Sequence, residues 1–350
     1  MENNLIVSRV SEYIDIINSL PSLESKIADE QELILHFMSM QDISEDAVNY
    51  YNTILENRKK KKHHQLSEDI KLTDSSSECL HYKFFYRGHF KASYTLCPSV
   101  FRENYWEYED YFYHRIIVER AESFRNTSHL DKLVTMQHYS CPTRLLDVTS
   151  NPLVALFFAC KNYGCKNCNF SDEGAVLVFP VPVQDILYAD SDRALMLSCL
   201  PRFSSEEKNS LLIRANENLK NKSFPQKSGG SRYRDGIVEQ FYHEITTEIP
   251  SFKREIDPID LLQPLFVQPN KTNGRIVKQD GAFIINGLSK NRREAEDKLD
   301  SMTYRKISVQ NQQNILRELD ILGINEASLF PEVDKMAEYL KASVKAPIHI

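Results

Sequence analysis

The stretch QHYSCPTRLLDVTSNPLVALFFAC, residues 137–160, decides the fold. In its second half, Asn151 and Pro152 precede eight residues that carry no charge. Asparagine is a favoured N-cap, proline suits the first helical position, and a helix that is apolar on all sides is buried. The sequence therefore predicts a buried helix that begins at Pro152.

A short strand is predicted just before this helix, over residues 144–148, because an apolar run lies there between two charges. Strand alternation places Asp147 and Thr149 on one face. Together with Ser150, these side chains lie where the strand passes into the helix N-terminus. Free amide groups and the helix dipole favour an anionic ligand at such a place, so we expect a polar site on a buried support.

A second strand, residues 82–87, is aromatic and ends at the pair Arg87-Gly88. An arginine at the end of an apolar strand needs a carboxylate or a phosphate as partner, because an unpaired buried charge is costly. The pattern leaves two interpretations of Arg87 open, a structural ion pair and a binding site. Residues 174–179 also read as a buried strand.

Further elements follow from spacing. Residues 103–125 are predicted as a long helix whose aromatic side chains pack in the core, and residues 275–287 as a strand, a turn at Asp280-Gly281 and another strand. The order of strands and helices indicates an α+β fold with a mixed central sheet and flanking helices. We expect helical N- and C-terminal additions, residues 1–75 and 289–350, around an α+β domain at residues 76–288.

Composition limits the function classes. The chain has 350 residues, 26% of them charged, and a formal net charge of −6, which argues against nucleic-acid binding over the whole surface. The sequence contains neither an apolar run long enough for a membrane span nor a secretory signal, so a cytoplasmic location is expected. The basic run at residues 58–64 is interpreted as a solvated segment, with contact to phosphate as the alternative.

Cysteine spacing raises the question of a metal. Cys160, Cys165 and Cys168 form a Cys-x4-Cys-x2-Cys pattern, but no fourth ligand follows at the usual spacing, and Cys199 is the nearest later candidate. We therefore expect no metal site. An odd total of seven cysteines in a long chain indicates free thiols.

Several motifs, taken together, resemble the FRG family, which is named for its aromatic-Arg-Gly motif. The resemblance covers roughly residues 78–342 and is most diagnostic over 78–181, with mild departures at Val148 and Asp280. The family occurs mainly in bacteria and their mobile elements, which implies a defence or toxin setting. The motifs are Tyr86-Arg87-Gly88, Gln137-His138-Tyr139, residues 142–147, residues 152–156, Arg275-Ile276, Gln279-x-Gly281-Ala282-Phe283, Leu322-Gly323-Ile324 and Leu329-Phe330-Pro331.

A weaker resemblance is to ADP-ribosyltransferases. Arg87 at a strand end, residues 147–150 leading into the helix at 152–159, and Gln279 keep the order of that family's motifs. Asp147 takes the place of the first hydroxyl, and Gln279 that of the usual catalytic acid.

This second resemblance implies NAD as a substrate, without a metal. Arg87 would hold a phosphate or ribose, Thr149 and Ser150 would orient the nicotinamide ribose, Arg144 would add to cofactor binding, and His138 or Asp147 would set the hydrogen bonds around them. A carboxylate stabilises a cationic ribosyl species better than the amide of Gln279 does, so Asp147 is the candidate for that role.

The alternative is a non-enzymatic ligand-sensing or protein-interaction module, in which Arg87, Arg144 and Asp147 form a buried structural network. A nucleotide-like small molecule or a protein is then the expected partner, rather than a membrane or nucleic acid. A two-metal nuclease is the weakest hypothesis, because no paired acidic cluster is present in the sequence.

Overall fold

The protein structure is a computed structural model, which describes residues 5–20, 82–162, 173–219, 236–302 and 305–345. Its strands are β1 (Leu5–Val7), β2 (Tyr82–His89), β3 (Leu145–Thr149), β4 (Gly174–Pro182), β5 (Leu187–Tyr188), β6 (Leu265–Gln268), β7 (Gly281–Ile285) and β8 (Arg305–Val309). Its α-helices are α1 (Val10–Ser19), α2 (Glu109–Glu119), α3 (His129–His138), α4 (Pro152–Cys160), α5 (Asp192–Ser198), α6 (Ser205–Asn218), α7 (Gly236–Glu248), α8 (Pro258–Leu262), α9 (Gly274–Lys278), α10 (Arg292–Asp300), α11 (Gln312–Ile321), α12 (Glu326–Leu329) and α13 (Val333–Lys345).

All eight of these strands form one sheet, in the order β1-β8-β4-β2-β3-β7-β6-β5. The pairs at the two ends of the sheet, β1 with β8 and β5 with β6, are parallel, whereas the central pairs are antiparallel. Helices pack against this mixed sheet, which confirms the predicted α+β fold.

The centre of the sheet is formed by the two strands that carry the diagnostic motifs. Strand β2 pairs with β4 along its whole length but with β3 only through Tyr86 and Thr149. Strand β3 pairs fully with β7 on its other side. Beyond the Tyr86–Thr149 pair, β2 and β3 therefore separate, and side chains can enter between them.

Helix α4 supports this centre as the sequence predicts. The side chain of Asn151 caps it by accepting hydrogen bonds from the amides of Leu153 (3.0 Å) and Val154 (3.4 Å). Its buried side chains pack with Tyr86 and with residues of β1, β4, β8, α1 and α11. The predicted buried helix is confirmed.

Two segments differ from the sequence-based expectation. Residues 275–278 lie in helix α9 rather than in a strand, while the predicted strand after the turn is β7. The expected helix at 103–125 is divided into a 3-10 segment, Ser99–Tyr108, the helix α2 and a 3-10 turn at Ala121–Phe124. A kink with positive φ at Glu103 and Asn104 breaks the first part.

The two ends of the chain contribute strands as well as helices. Strand β1 lies in the predicted N-terminal addition and β8 in the C-terminal one, and both join the central sheet. The division of the chain at residues 75 and 288 stays a prediction. The basic run at 58–64, together with Cys165 and Cys168, lies outside the described residues.

Across the described ranges, the structure has no helix that is both long and apolar enough to cross a membrane.

Candidate functional site

The aromatic-Arg-Gly motif in β2 has a structural reason for each of its three residues. Tyr86 is 5% exposed and packs in the core beneath α4. A Cβ atom on Gly88 would lie only 2.0 Å from the main-chain oxygen of Ala155 and 2.5 Å from the amide nitrogen of Ala159. Only glycine lets α4 approach β2 this closely. Arg87, between them, is held away from this helix by strand alternation.

The guanidinium of Arg87 lies where β2 and β3 separate. Its Nη1 donates to the main-chain oxygen of Asp147 at 2.5 Å and lies 3.9 Å from the Oδ2 atom of that residue. Its Nε donates to Nε2 of His89 at 3.1 Å. The structure thus brings together two predicted site residues, Arg87 and Asp147, from neighbouring strands.

The charge of Arg87 is only partly compensated. The Asp147 side chain is 65% exposed and makes a long contact with a guanidinium that is itself 17% exposed, so solvent weakens their attraction. Arg102 is also close enough to act on Arg87 electrostatically, with the same sign of charge. The site therefore has excess positive charge, which favours an anionic ligand.

His89 is a residue of this site that the sequence analysis missed. It is 6% exposed, and burial, followed by the neighbouring charge of Arg87, lowers its pKa to about 3. The imidazole is therefore neutral near pH 7 and accepts the hydrogen bond from Arg87. Its position two residues after Arg87, on the same face of β2, is the sequence signal that could have identified it.

Thr149 and Ser150 connect β3 to the segment before β7. The hydroxyl of Thr149 donates to the main-chain oxygen of Gln279 at 2.6 Å and accepts from the amide of Asn151 at 2.9 Å. Ser150 contacts the main-chain oxygen of Asp280, through its amide at 3.0 Å and its hydroxyl at 3.5 Å. These contacts fix the turn into α4, so the hydroxyl of Thr149 is already engaged as donor and acceptor.

Gln279 is close to this turn through its backbone, but its side chain is directed elsewhere. Its Nε2 donates to the main-chain oxygen of Leu329 at 3.2 Å. The side chain thereby ties the turn before β7 to α12. Gln279 follows the other motif residues in the predicted order along the chain, but its side chain forms its hydrogen bond with the C-terminal region.

His138 belongs to a separate polar cluster. Its Nε2 lies 3.5 Å from Oε1 of Glu332, which also pairs with Nη2 of Arg275 at 2.9 Å. The guanidinium of Arg275 lies over the ring of Phe330, 5.1 Å from its centroid. No contact in the described part of the chain joins His138 to Arg87 or Asp147.

Arg144 is the centre of a buried ionic cluster. It is 2% exposed and forms a two-pronged pair with Glu109, from Nε to Oε1 at 2.9 Å and from Nη2 to Oε2 at 2.5 Å. Lys208 donates to the same Oε2 at 2.7 Å. Burial raises the pKa of Glu109, but Arg144 and Lys208 outweigh this effect and hold it at about 2. Glu109 and Lys208 were missed because they lie far from Arg144 in sequence.

No metal site is evident among the described residues, where no three His, Cys, Asp or Glu side chains are grouped to hold an ion. Cys160 is completely buried at the end of α4, and burial raises the pKa of its thiol. The expectation of no metal stays a prediction, because Cys165 and Cys168, the other two cysteines of the pattern, lie outside the described ranges.

Comparison with known proteins identifies a domain family. Residues 82–167 match the family model of the FRG domain, a range that contains β2, β3 and α4 and therefore the Arg87–Asp147 contact. No curated protein and no solved structure matches the chain.

Proposed function

The chain contains an FRG domain, as its motifs indicated, and from this premise we propose that the domain binds a phosphate-bearing nucleotide at Arg87. The observation that carries the proposal is the partly compensated guanidinium, whose nearest partners are a main-chain oxygen, a neutral histidine and a largely exposed carboxylate. Arginine recognises phosphate through several parallel N–H bonds. Among the residues that the structure describes, Nη2 of Arg87 has no hydrogen-bond partner and is the group available to a ligand.

NAD is the ligand that we propose, and ADP-ribosyl transfer or NAD hydrolysis is the reaction. The bond from the ribose carbon to the nicotinamide nitrogen breaks, and nicotinamide leaves with the electron pair. A nucleophile, water or a target side chain, forms the new bond and loses its proton. Asp147 would stabilise the cationic ribosyl group, because its carboxylate is exposed beside Arg87. A cytoplasmic location and a bacterial defence or toxin setting belong to the same proposal.

The experiment combines binding and turnover. We expect NAD to raise the melting temperature of the wild type, and Arg87→Lys to weaken binding at least tenfold, because lysine lacks the guanidinium fork. Asp147→Asn is expected to retain binding while nicotinamide release falls at least tenfold. Arg115→Lys is the matched control, since Arg115 lies in an exposed pair with Glu119. A folded wild type that neither binds NAD nor releases nicotinamide would overturn the proposal.

A second candidate function is the non-enzymatic module with a structural network. It is favoured because two residues predicted to bind a cofactor make structural contacts instead. Arg144 is buried against Glu109, and the hydroxyl of Thr149 bridges two main-chain groups. In this case Arg87 would serve to hold β3 through the oxygen of Asp147, and a protein or another small molecule would be the partner. If Arg87→Ala unfolds the protein while NAD has no effect on the wild type, this second function is supported.

A further inference from the structure

A cavity of about 250 Å³ lies beside the buried ionic cluster. It is lined by the 3-10 segment before α2, by the first turn of α6 and by the loop after β7. Sites for drug-sized ligands measure about 300–1,000 Å³, so this cavity suits a smaller molecule and not a whole dinucleotide. The cavity is therefore too small to hold the dinucleotide proposed to bind at Arg87.

Three buried charged side chains line the cavity, two of them positive and one negative. Arg144 and Lys208 are cations and Glu109 is an anion, and all three are less than 9% exposed. Lys290 and Glu206 also line the cavity, but they are exposed and carry opposite charges. One positive charge in the cluster thus has no buried counter-charge, apart from a weaker attraction of Lys208 to the half-exposed Asp110. Burying such a charge is costly unless an anion pairs with it.

The free donor belongs to Lys208. The guanidinium of Arg144 is committed to Glu109 and to the main-chain oxygens of Asn286 (3.0 Å) and Gly287 (3.5 Å). The ammonium of Lys208 makes one hydrogen bond, to Glu109. Since an ammonium has three N–H groups, two of them have no acceptor within the described ranges.

The rest of the wall is suited to the non-ionic part of a ligand. Phe101 and Trp106 are among the residues that line the cavity, together with Ser205 and Ser289. An aromatic wall next to an unfilled cationic donor is complementary to a flat molecule that carries one acidic group.

We propose that this cavity is a binding site for a small organic anion, in which Lys208 accepts a carboxylate or phosphate group and Trp106 packs against an attached flat group. The site uses none of the contacts of Arg87. It can therefore exist whether or not the domain binds NAD.

Trp106 is the single tryptophan of the chain, so its fluorescence reports on this cavity directly. Benzoate, benzamide and benzamidinium have nearly the same shape but are anionic, neutral and cationic. We expect a saturable change in fluorescence with benzoate, and binding at least tenfold weaker with the other two. Inorganic phosphate is titrated as a competitor, and displacement of benzoate shows that the site accepts phosphate as well as carboxylate. Equal responses to all three aromatic probes, or none to benzoate, would overturn the proposal.

Variants then test the role of Lys208. Lys208→Met keeps most of the unbranched side chain but removes the charge, and we expect benzoate affinity to fall at least tenfold while circular dichroism shows a folded protein. Lys161→Met is the control, because Lys161 pairs with Glu326 outside the cavity. If Lys208→Met does not fold, Trp106→Phe is tested instead, with binding measured by calorimetry. A Trp106→Phe protein that still prefers benzoate to benzamide supports the site. A folded Trp106→Phe protein that no longer binds benzoate contradicts a site in which Lys208 provides most of the binding.

Discussion

Of the glycines in the described structure, Gly88 has the least room for a side chain. Its neighbours in α4 are backbone atoms, which cannot rotate away from an added Cβ. We expect Gly88→Ala to lower the free energy of unfolding by at least about 3 kcal/mol, the upper end of the range for overpacking. Urea unfolding monitored by circular dichroism measures this.

Gly236 provides the matched control. It lies at the start of α7, and an added Cβ would meet nothing within 4 Å. Gly236→Ala should leave the free energy of unfolding unchanged or slightly raised, because alanine favours helix. Equal effects of the two substitutions would show that α4 does not lie against β2 as described.

Glu109 links stability to pH. Its folded pKa of about 2 lies below the value of an unfolded glutamate, so it stabilises the protein fully above about pH 5 and loses that contribution as pH falls towards 2. Glu109→Gln leaves Arg144 and Lys208 without their carboxylate. We expect a loss of roughly 3–5 kcal/mol at pH 7. The difference from the wild type should shrink at pH 3, as measured by urea unfolding.

A surface pair is the comparison for this substitution. Glu119 pairs with Arg115 at 2.7 Å, but both side chains are more than half exposed. Glu119→Gln is expected to cost less than about 1 kcal/mol at either pH. A loss of similar size in both variants would contradict the buried cluster.

At this scale, sequence reasoning identified Arg87 and Asp147, which the structure brings together, but it missed His89, Glu109 and Lys208, although these also lie on regular elements. The sequence predicted a carboxylate or a phosphate as the partner of Arg87, and in the structure its hydrogen bond goes to the main-chain oxygen of Asp147, whose carboxylate lies 3.9 Å away. Glu109 could not be paired with Arg144 in the same way, because 2.5–3 Å contacts between remote segments depend on how helices pack, which local pattern does not encode.

Among the elements, α4 depends on Asn151, the N-cap residue that precedes it. The side chain of Asn151 caps the helix and also donates to Oδ2 of Asp280 at 3.3 Å. Asn151→Ala should reduce the free energy of unfolding by about 1–2 kcal/mol, the usual cost of losing an N-cap. Asn151→Ser keeps an acceptor and is expected to cost less than half as much. Thermal and urea unfolding distinguish the two, and an equal loss would argue against a capping role.

The elements also show where local pattern fails. Residues 275–278 contain two apolar residues between charges, and so short a run fits a strand and a helical turn equally well. The deciding contact is the side chain of Asn273, which accepts from the amide of Arg275 at 2.8 Å and starts α9. In contrast, α4 was predictable because its cap, its proline and its uncharged length all agree.

For the molecule as a whole, two buried histidines should make stability depend on pH. Burial is the main cause that lowers the pKa of His89 and of His129 to about 3. The unfolded chain binds protons at these residues below about pH 6.5, whereas the folded protein does not. The contribution of these two histidines to the free energy of unfolding is therefore fully present above pH 6.5. It is lost as pH falls towards 3, by up to about 1.4 kcal/mol per pH unit for each histidine.

Urea unfolding at pH 7.5 and pH 5.0 tests this expectation, with a predicted loss of roughly 2 kcal/mol per histidine. His129→Gln should remove about half of the loss, since glutamine has no proton to gain. His243→Gln alters an exposed position on α7 and is expected to keep the wild-type dependence. An unchanged pH dependence in His129→Gln would contradict the assignment.

The parallel pairing of β1 with β8 has a consequence for the order of biosynthesis. Strands β2 and β4 are complete once residue 182 has left the ribosome. Val7, in contrast, can pair in the sheet only after its partner Val309 has been synthesised. A nascent chain would therefore hold Leu5–Val7 unpaired through most of translation, and a premature stop before β8 would leave this apolar segment available for chaperones or aggregation.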